Sequence, residues 1–266
     1  MIMAIGKEIE KRGHIIGFRE EIGKASNSSD GEFFTWFDNA SDTDAAFVRG
    51  SWDFAIHFVR PCARFLSRPE DKVALEIGHG GGRLLAAASR HFKYVIGIDI
   101  HDHNDKVEEE LRKRGVGNFR LEKTDGLGIP VDDAKVDFVY SFIVLQHVEK
   151  FAIFEQYLRE SWRILKDDGL AVLYFGRRSR LSVGKGSPLL YFADRIAEMV
   201  FPLGGYLELP AKVNETNLVV SLPRARRLAR ETGFEVLGTL VSRKKVPDGI
   251  GLFGGQNGLI LRKKGS

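Results

Sequence analysis

The chain has 266 residues, 43% apolar and 29% charged, a balance typical of a folded globular protein that excludes global disorder. Its 40 Lys and Arg stand against 36 Asp and Glu, so the net charge of +4 is too mixed to mark a nucleic-acid binder. The single cysteine, Cys62, excludes an internal disulfide and a multi-cysteine zinc site and fits a reducing compartment.

From the N-terminus, Met1 to Phe18 mixes short apolar pairs with charges and has no signal-peptide core. No run approaches the roughly 18 apolar residues of a transmembrane helix, so the expected location is cytoplasmic. Ser26 to Asp30 reads as a flexible joint before an aromatic-rich stretch, Phe33 to Leu66, whose second half from Trp52 predicts a helix despite Pro61. From Lys72, short apolar runs alternate with helical stretches, the signature of βαβ units around a parallel sheet. Strands are predicted at Val73–Ile77, Tyr94–Ile100, Phe119–Lys123, Val136–Phe142 and Leu170–Phe175, with helices at Gly82–His91, Asn104–Arg114 and Phe151–Leu165. The rhythm breaks over Gly176 to Val220, far longer than an ordinary connection of about 4–6 residues. That stretch holds one amphipathic helix, Leu189 to Phe201. Its Leu189, Phe192, Ile196, Met199 and Val200 share one side, opposite Asp194, Arg195 and Glu198, and are expected to cover something. A helix at Ser221–Thr232 and strands at Phe234–Ser242 and Gly258–Arg262 close the pattern.

The strongest local signal is Val73-Ala74-Leu75-Glu76-Ile77-Gly78-His79-Gly80-Gly81-Gly82-Arg83. A buried strand runs into glycines and then a helix, which lets a ligand approach the main chain beside a positive helix end. A dinucleotide fingerprint would need glycine at position 83, which is Arg83. The pattern present, with Glu76, Gly78, Gly80 and Gly82 as acidic-x-G-x-G-x-G, resembles the first motif of class I S-adenosylmethionine-dependent methyltransferases. Asp99 ends the next strand about 20 residues on, where a carboxylate can reach ribose hydroxyls. Leu121-Glu122-Lys123-Thr124-Asp125-Gly126 resembles the turn that this family uses for adenine. Val136 to Ser141 with Val144-Leu145-Gln146-His147-Val148 resembles the fourth strand and the loop beside the reactive methyl. Ser161-Trp162-Arg163-Ile164-Leu165-Lys166-Asp167-Asp168-Gly169 resembles the family's turn into the fifth strand, with Lys-Asp-Asp-Gly replacing Lys-Pro-Gly-Gly.

The resemblance spans Lys72 to Phe175 and resumes weakly at Glu231–Val236. It implies an α/β fold, a doubly wound, mostly parallel sheet of seven strands with the last one antiparallel. It also implies an N-terminal helical cap within 1–71, a cofactor domain over 72–266, and an insertion at 176–220 that covers the substrate. S-adenosyl-L-methionine is the implied cofactor, held by Glu76, Gly78, His79, Gly80, Gly82, Asp99, Ile100, Asp125, Gly126, Ser141 and Phe142. His147 is the candidate general base, although a pocket-shaping role is the stronger expectation for it. Arg83 reads as an exposed helical arginine or the partner of a carboxylate. His101, His103, Asp102 and Asp105 read as capping and solvation, and no metal is expected. The expected acceptor is a small molecule or a lipid-linked one, with peripheral membrane contact open. No specific nucleic acid is expected, because an Asn/Asp-Pro-Pro-aromatic motif is missing after the fourth strand; a nucleic-acid methyltransferase and a non-catalytic binding protein are the alternatives.

Overall fold

A computed structural model describes residues 17–37, 39–200 and 205–265. Nearly all of Met1 to Phe18, and the expected helix end at Phe201, lie outside the described residues.

The N-terminal part is helical. Helices α1 (Phe18–Ser28) and α2 (Asp30–Trp36) meet at Ser29, whose hydroxyl accepts from the Glu32 N–H at 3.1 Å. The expected flexible joint is therefore a capped corner between two helices. Helix α3 (Thr43–Phe54) begins at Asp42, which accepts from the Ala45 N–H at 2.8 Å. It continues through a π-helical stretch, Ala55–Val59, and a last turn at Arg60–Cys62. The helix expected from Trp52 thus starts at Thr43. The widened turn lies just before Pro61, which has no N–H to donate and whose ring crowds the carbonyl four residues back.

The sheet comprises β1 (Val73–Ile77), β2 (Tyr94–Asp99), β3 (Phe119–Lys123), β4 (Val136–Ser141), β5 (Leu165–Gly176), β8 (Phe234–Arg243) and β9 (Phe253–Lys263), together with a short pair, β6 (Tyr206–Glu208) and β7 (Leu218–Val220). Its main order is β3-β2-β1-β4-β5-β9-β8, with β9 antiparallel to both neighbours. This is the seven-stranded sheet that the motifs imply. β9 reaches back to Phe253 through a glycine-rich stretch that hides the strand from hydropathy patterning. A Cβ at Gly254 would lie 2.3 Å from the Ser242 hydroxyl, so packing dictates the glycine.

Helices α4 (Arg83–Ala88) and α5 (Asn104–Lys113) follow β1 and β2; α6 (Phe151–Ile164) lies between β4 and β5. Leu75 and Ile77 face a core with Phe154, Leu158 and Ile164 of α6. Ala74 faces a second core, with Phe54, Phe58, Leu84 and Val107. The alternation along β1 thus serves both sides of the sheet.

The insertion after β5 contains α7 (Pro188–Met199), then β6 and β7, and leads into α8 (Leu222–Glu231). Gly176 pairs with Gln256 on one edge and with Val219 on the other. β7 therefore enters on the β4 side, beyond Ser141, the last residue of β4. Helix α7 departs from the expected packing. Asp194 and Glu198 are buried, whereas Leu189, Phe192, Ile196, Met199 and Val200 are exposed.

Candidate functional site

At the end of β1 the chain turns through Gly78 to Gly82 into α4. Gly78, Gly80 and Gly82 have φ of 76°, 52° and 80°, a region that glycine enters without a steric penalty. Space is equally short. A Cβ on Gly78 would meet Val144 at 2.3 Å, and one on Gly80 would meet the Phe37 ring at 2.9 Å. The loop is thus held between the segment after β4 and helix α2.

Asp99 ends β2 beside this loop. One carboxylate oxygen accepts from the Gly80 N–H at 2.8 Å and the other from the Ile100 N–H at 2.7 Å. Burial opposes its ionisation, but the polar surroundings, the Gly80 and Ile100 N–H groups among them, outweigh that cost and hold its pKa below the usual value. An ionised carboxylate has acceptor capacity beyond two bonds, which suits a vicinal diol. Glu76 is buried and accepts from the Tyr140 hydroxyl at 3.1 Å. Burial raises its pKa well above the ordinary value, against the opposing pull of Tyr140 and Arg83. A cationic ligand group beside it would favour the carboxylate form. Arg83 donates to Asp53 at 2.6 Å and is largely buried, so the carboxylate pairing holds and the exposed arginine does not.

These residues line an open cleft of about 140 Å³. Of the residues expected to bind cofactor, Glu76, Gly78, His79, Gly80, Asp99, Ile100 and Phe142 line it, and His147 does too. Gly82 stands behind the loop at the start of α4. Ser141 is buried and donates to the Ile77 carbonyl at 3.2 Å, bracing β4 on β1. Asp125 is turned onto its own loop, where it accepts from the N–H groups of Leu127 and Gly128 at 2.8 and 3.1 Å. Thr124, not Asp125 or Gly126, is the lining residue from that turn.

Residues distant in sequence complete the cleft. Phe18 and Ile22 of α1, Trp36 and Phe37 around the end of α2, and Asn214 of the insertion all line it. Their rings form a chain: Phe37 to Trp36 at 5.1 Å, Trp36 to Phe18 at 5.8 Å, and Phe18 to His147 at 5.9 Å. Arg19 donates to the Ile100 carbonyl at 2.9 Å, tying α1 to the end of β2. The aromatic composition of 33–58 marked the α2 wall; nothing in the sequence marked Phe18 or Asn214.

Nδ1 of His147 faces the Glu215 carbonyl at 2.6 Å and therefore carries the proton. Nε2 then accepts from the Gln146 amide at 3.2 Å. Burial keeps its pKa below the ordinary value against the Glu215 contact, so the ring is neutral near pH 7 with both nitrogens engaged. That arrangement joins the loop after β4 to the insertion.

Among the described residues, His79, Asp99 and His101 lie close enough together to suggest a metal site. His101 donates from Nε2 to the Gly80 carbonyl at 3.1 Å and accepts the His103 N–H on Nδ1 at 3.1 Å, which leaves it no lone pair to give. His79 donates from Nδ1 to the same carbonyl at 2.9 Å, with Asn104 on Nε2 at 3.1 Å. Burial pulls its pKa down to about 4 despite the adjacent Asp99, so it is neutral. The imidazoles brace the glycine loop.

The family model described as a methyltransferase domain matches residues 75–173, the stretch holding this loop and Asp99. Residues 75–173 are therefore a methyltransferase domain, set in a sheet with the class I S-adenosylmethionine-dependent methyltransferase fold. S-adenosylmethionine is the cofactor of that domain. Solved structures agree on the fold. The chain is similar to a putative sarcosine dimethylglycine methyltransferase from Galdieria sulphuraria (TM-score 0.56, 18% identity, 84% of this chain and 89% of that one). It also resembles a methyltransferase from Methanosarcina mazei (TM-score 0.55, 19% identity, 77% and 98%). A third likeness is to a structure from Haloferax volcanii, a complex between the Trm112 methyltransferase activator and a putative methyltransferase (TM-score 0.54, 15% identity, 88% and 99%). Comparison with curated proteins found no match.

Proposed function

We propose that the methyltransferase domain transfers a methyl group from S-adenosylmethionine to a small or lipid-linked acceptor with a largely apolar body. When bound, the cofactor supplies a sulfonium methyl already activated for direct displacement. Asp99 accepts from the ribose hydroxyls, and Glu76 takes the cationic end. The Gly78–Gly82 loop lets the ligand lie against the main chain, flanked by Ile100 and Phe142. Such chemistry asks the protein chiefly for proximity, aim and exclusion of water.

The observation that carries the acceptor class is the apolar character of the cleft away from the glycine loop. Phe18, Ile22, Trp36, Ile143, Val144 and Val148 line it, with His147, Asn214, Thr124 and Tyr157 among the polar residues of the lining. Among the described residues, Arg83 is the one Lys or Arg in the lining, and it is paired with Asp53. A phosphate backbone would need several such cations. His147 acts as a positioning residue that holds the insertion against the acceptor side.

The test is incubation with methyl-labelled cofactor and, in separate reactions, apolar small molecules, an extracted lipid fraction, and total RNA. Label in an organic-soluble acceptor is the expected result. Label confined to RNA would overturn the acceptor class.

A further inference from the structure

The four most exposed large apolar side chains among the described residues are Leu189 (80%), Val200 (79%), Met199 (75%) and Phe192 (63%), all on α7 or its cap. Ile196 completes the stripe at helical spacing, and Leu181 is exposed in the preceding loop. Solvated singly such residues need no explanation, but a contiguous stripe marks a contact surface.

The helix is fixed in this orientation by its polar side. Asp194 accepts from the Ser179 hydroxyl at 2.6 Å, from the N–H groups of Leu181 and Ser182 at 2.9 Å each, and from Arg177 at 3.2 Å. Glu198 accepts from the Asn257 amide at 2.9 Å and from the Leu222 N–H at 3.2 Å. Rolling the apolar stripe inward would strip two buried carboxylates of these partners, so the outward stripe follows from the bonding beneath it.

Charge identifies the occupant. Asp194 and Glu198 are the only acids between Gly176 and Val200, and both are turned inward. The exposed charges that remain are basic: Arg178, Arg180 and Lys185 in the loop, with half-buried Arg195 flanking the stripe. A cavity of about 560 Å³ opens between this loop and α7, lined by those three loop cations and by Ala197 and Glu198. An apolar stripe bordered by cations, on a helix too short to cross a bilayer, matches a helix lying in the plane of an anionic membrane surface. Helix α7 also follows the C-terminal end of β5, the same edge of the parallel strands on which the cofactor cleft opens.

We infer that α7 and residues 178–185 form a docking surface for anionic phospholipid membranes, with the apolar stripe entering the acyl boundary and the cations meeting the headgroups. This holds whatever the methyl acceptor is. The test is co-sedimentation of the full chain with vesicles of phosphatidylcholine alone or mixed with phosphatidylglycerol. Binding is expected only to the mixed vesicles, and it should weaken as salt is raised. Phe192→Ser with Ile196→Ser should reduce it about tenfold or more. Arg180→Glu with Lys185→Glu, at exposed positions where folding is not at stake, should reduce it comparably. Both variants should keep wild-type affinity for S-adenosylhomocysteine, which separates this surface from the cleft. No binding to mixed vesicles would overturn the inference, as would a concentration-dependent dimer that Phe192→Ser with Ile196→Ser dissociates while vesicle binding persists.

Discussion

Helices α6 and α7 carry the same kind of sequence pattern and use it in opposite ways. In α6, Phe154, Leu158 and Ile164 are buried against the sheet, while Arg159 is exposed. In α7, Asp194 and Glu198 are buried and the apolar stripe faces out. Helical periodicity fixes that a helix forms and which residues share a face. Which face turns inward is decided by what lies beneath it: an apolar sheet under α6, main-chain donors and Asn257 under α7.

The contrast predicts opposite mutational responses. Phe154→Ala should cost about 3–5 kcal/mol of stability as a large core truncation, while Phe192→Ala should stay within about 0.5 kcal/mol as a surface change. Denaturant titration of both variants checks this, and equal losses would erase the distinction. On the polar side, Asp194→Ala leaves Arg177 buried without its carboxylate and should cost about 3–5 kcal/mol. A neutral effect there would mean that the inward face of α7 is not what holds it.

The strand order and the placement of the glycine loop and Asp99 at the strand ends are readable because each sits in a short contiguous stretch with a fixed mechanical reason. The four-motif order from Glu76 to Lys166 carried the sheet with it. Phe18 and Asn214 escaped because they reach the cleft through folding alone, from positions nearly 200 residues apart in the chain. Asp125 lies on its own loop for a local reason: an Asp before Gly forms an Asx turn readily, and sequence alone does not separate that from ligand binding. The first half of β9 is hidden because close packing, of Gly254 on Ser242 and of Gly255 on Arg180, selects glycine over the β-branched residues that mark a strand.

Smaller effects sharpen the picture of the cleft. His147→Gln should lower turnover only modestly and leave cofactor affinity unchanged, since both ring nitrogens are already bonded. A loss of about 10²–10⁴-fold at unchanged affinity would instead make His147 the base. Glu76 supplies a pH signature. Burial raises its pKa in the free protein, so it keeps its proton to higher pH there, and a cationic ligand group lowers that pKa on binding. Cofactor affinity should therefore rise with pH up to the free-protein pKa of Glu76 and level off above it, with proton release on binding. Calorimetry in buffers of different ionisation enthalpy reads the proton directly; Glu76→Gln should abolish the release.

Titration calorimetry reads whether the loop from Gly78 to Gly82 and Asp99 hold S-adenosylmethionine. S-adenosylhomocysteine should bind the wild-type protein with micromolar-scale affinity, about −8 kcal/mol, and NAD should not bind. Asp99→Ala should weaken binding by about 1.5–3 kcal/mol while the protein stays folded. Saturable NAD binding with no response to S-adenosylhomocysteine, or a folded Asp99→Ala protein with unchanged affinity, would contradict the account.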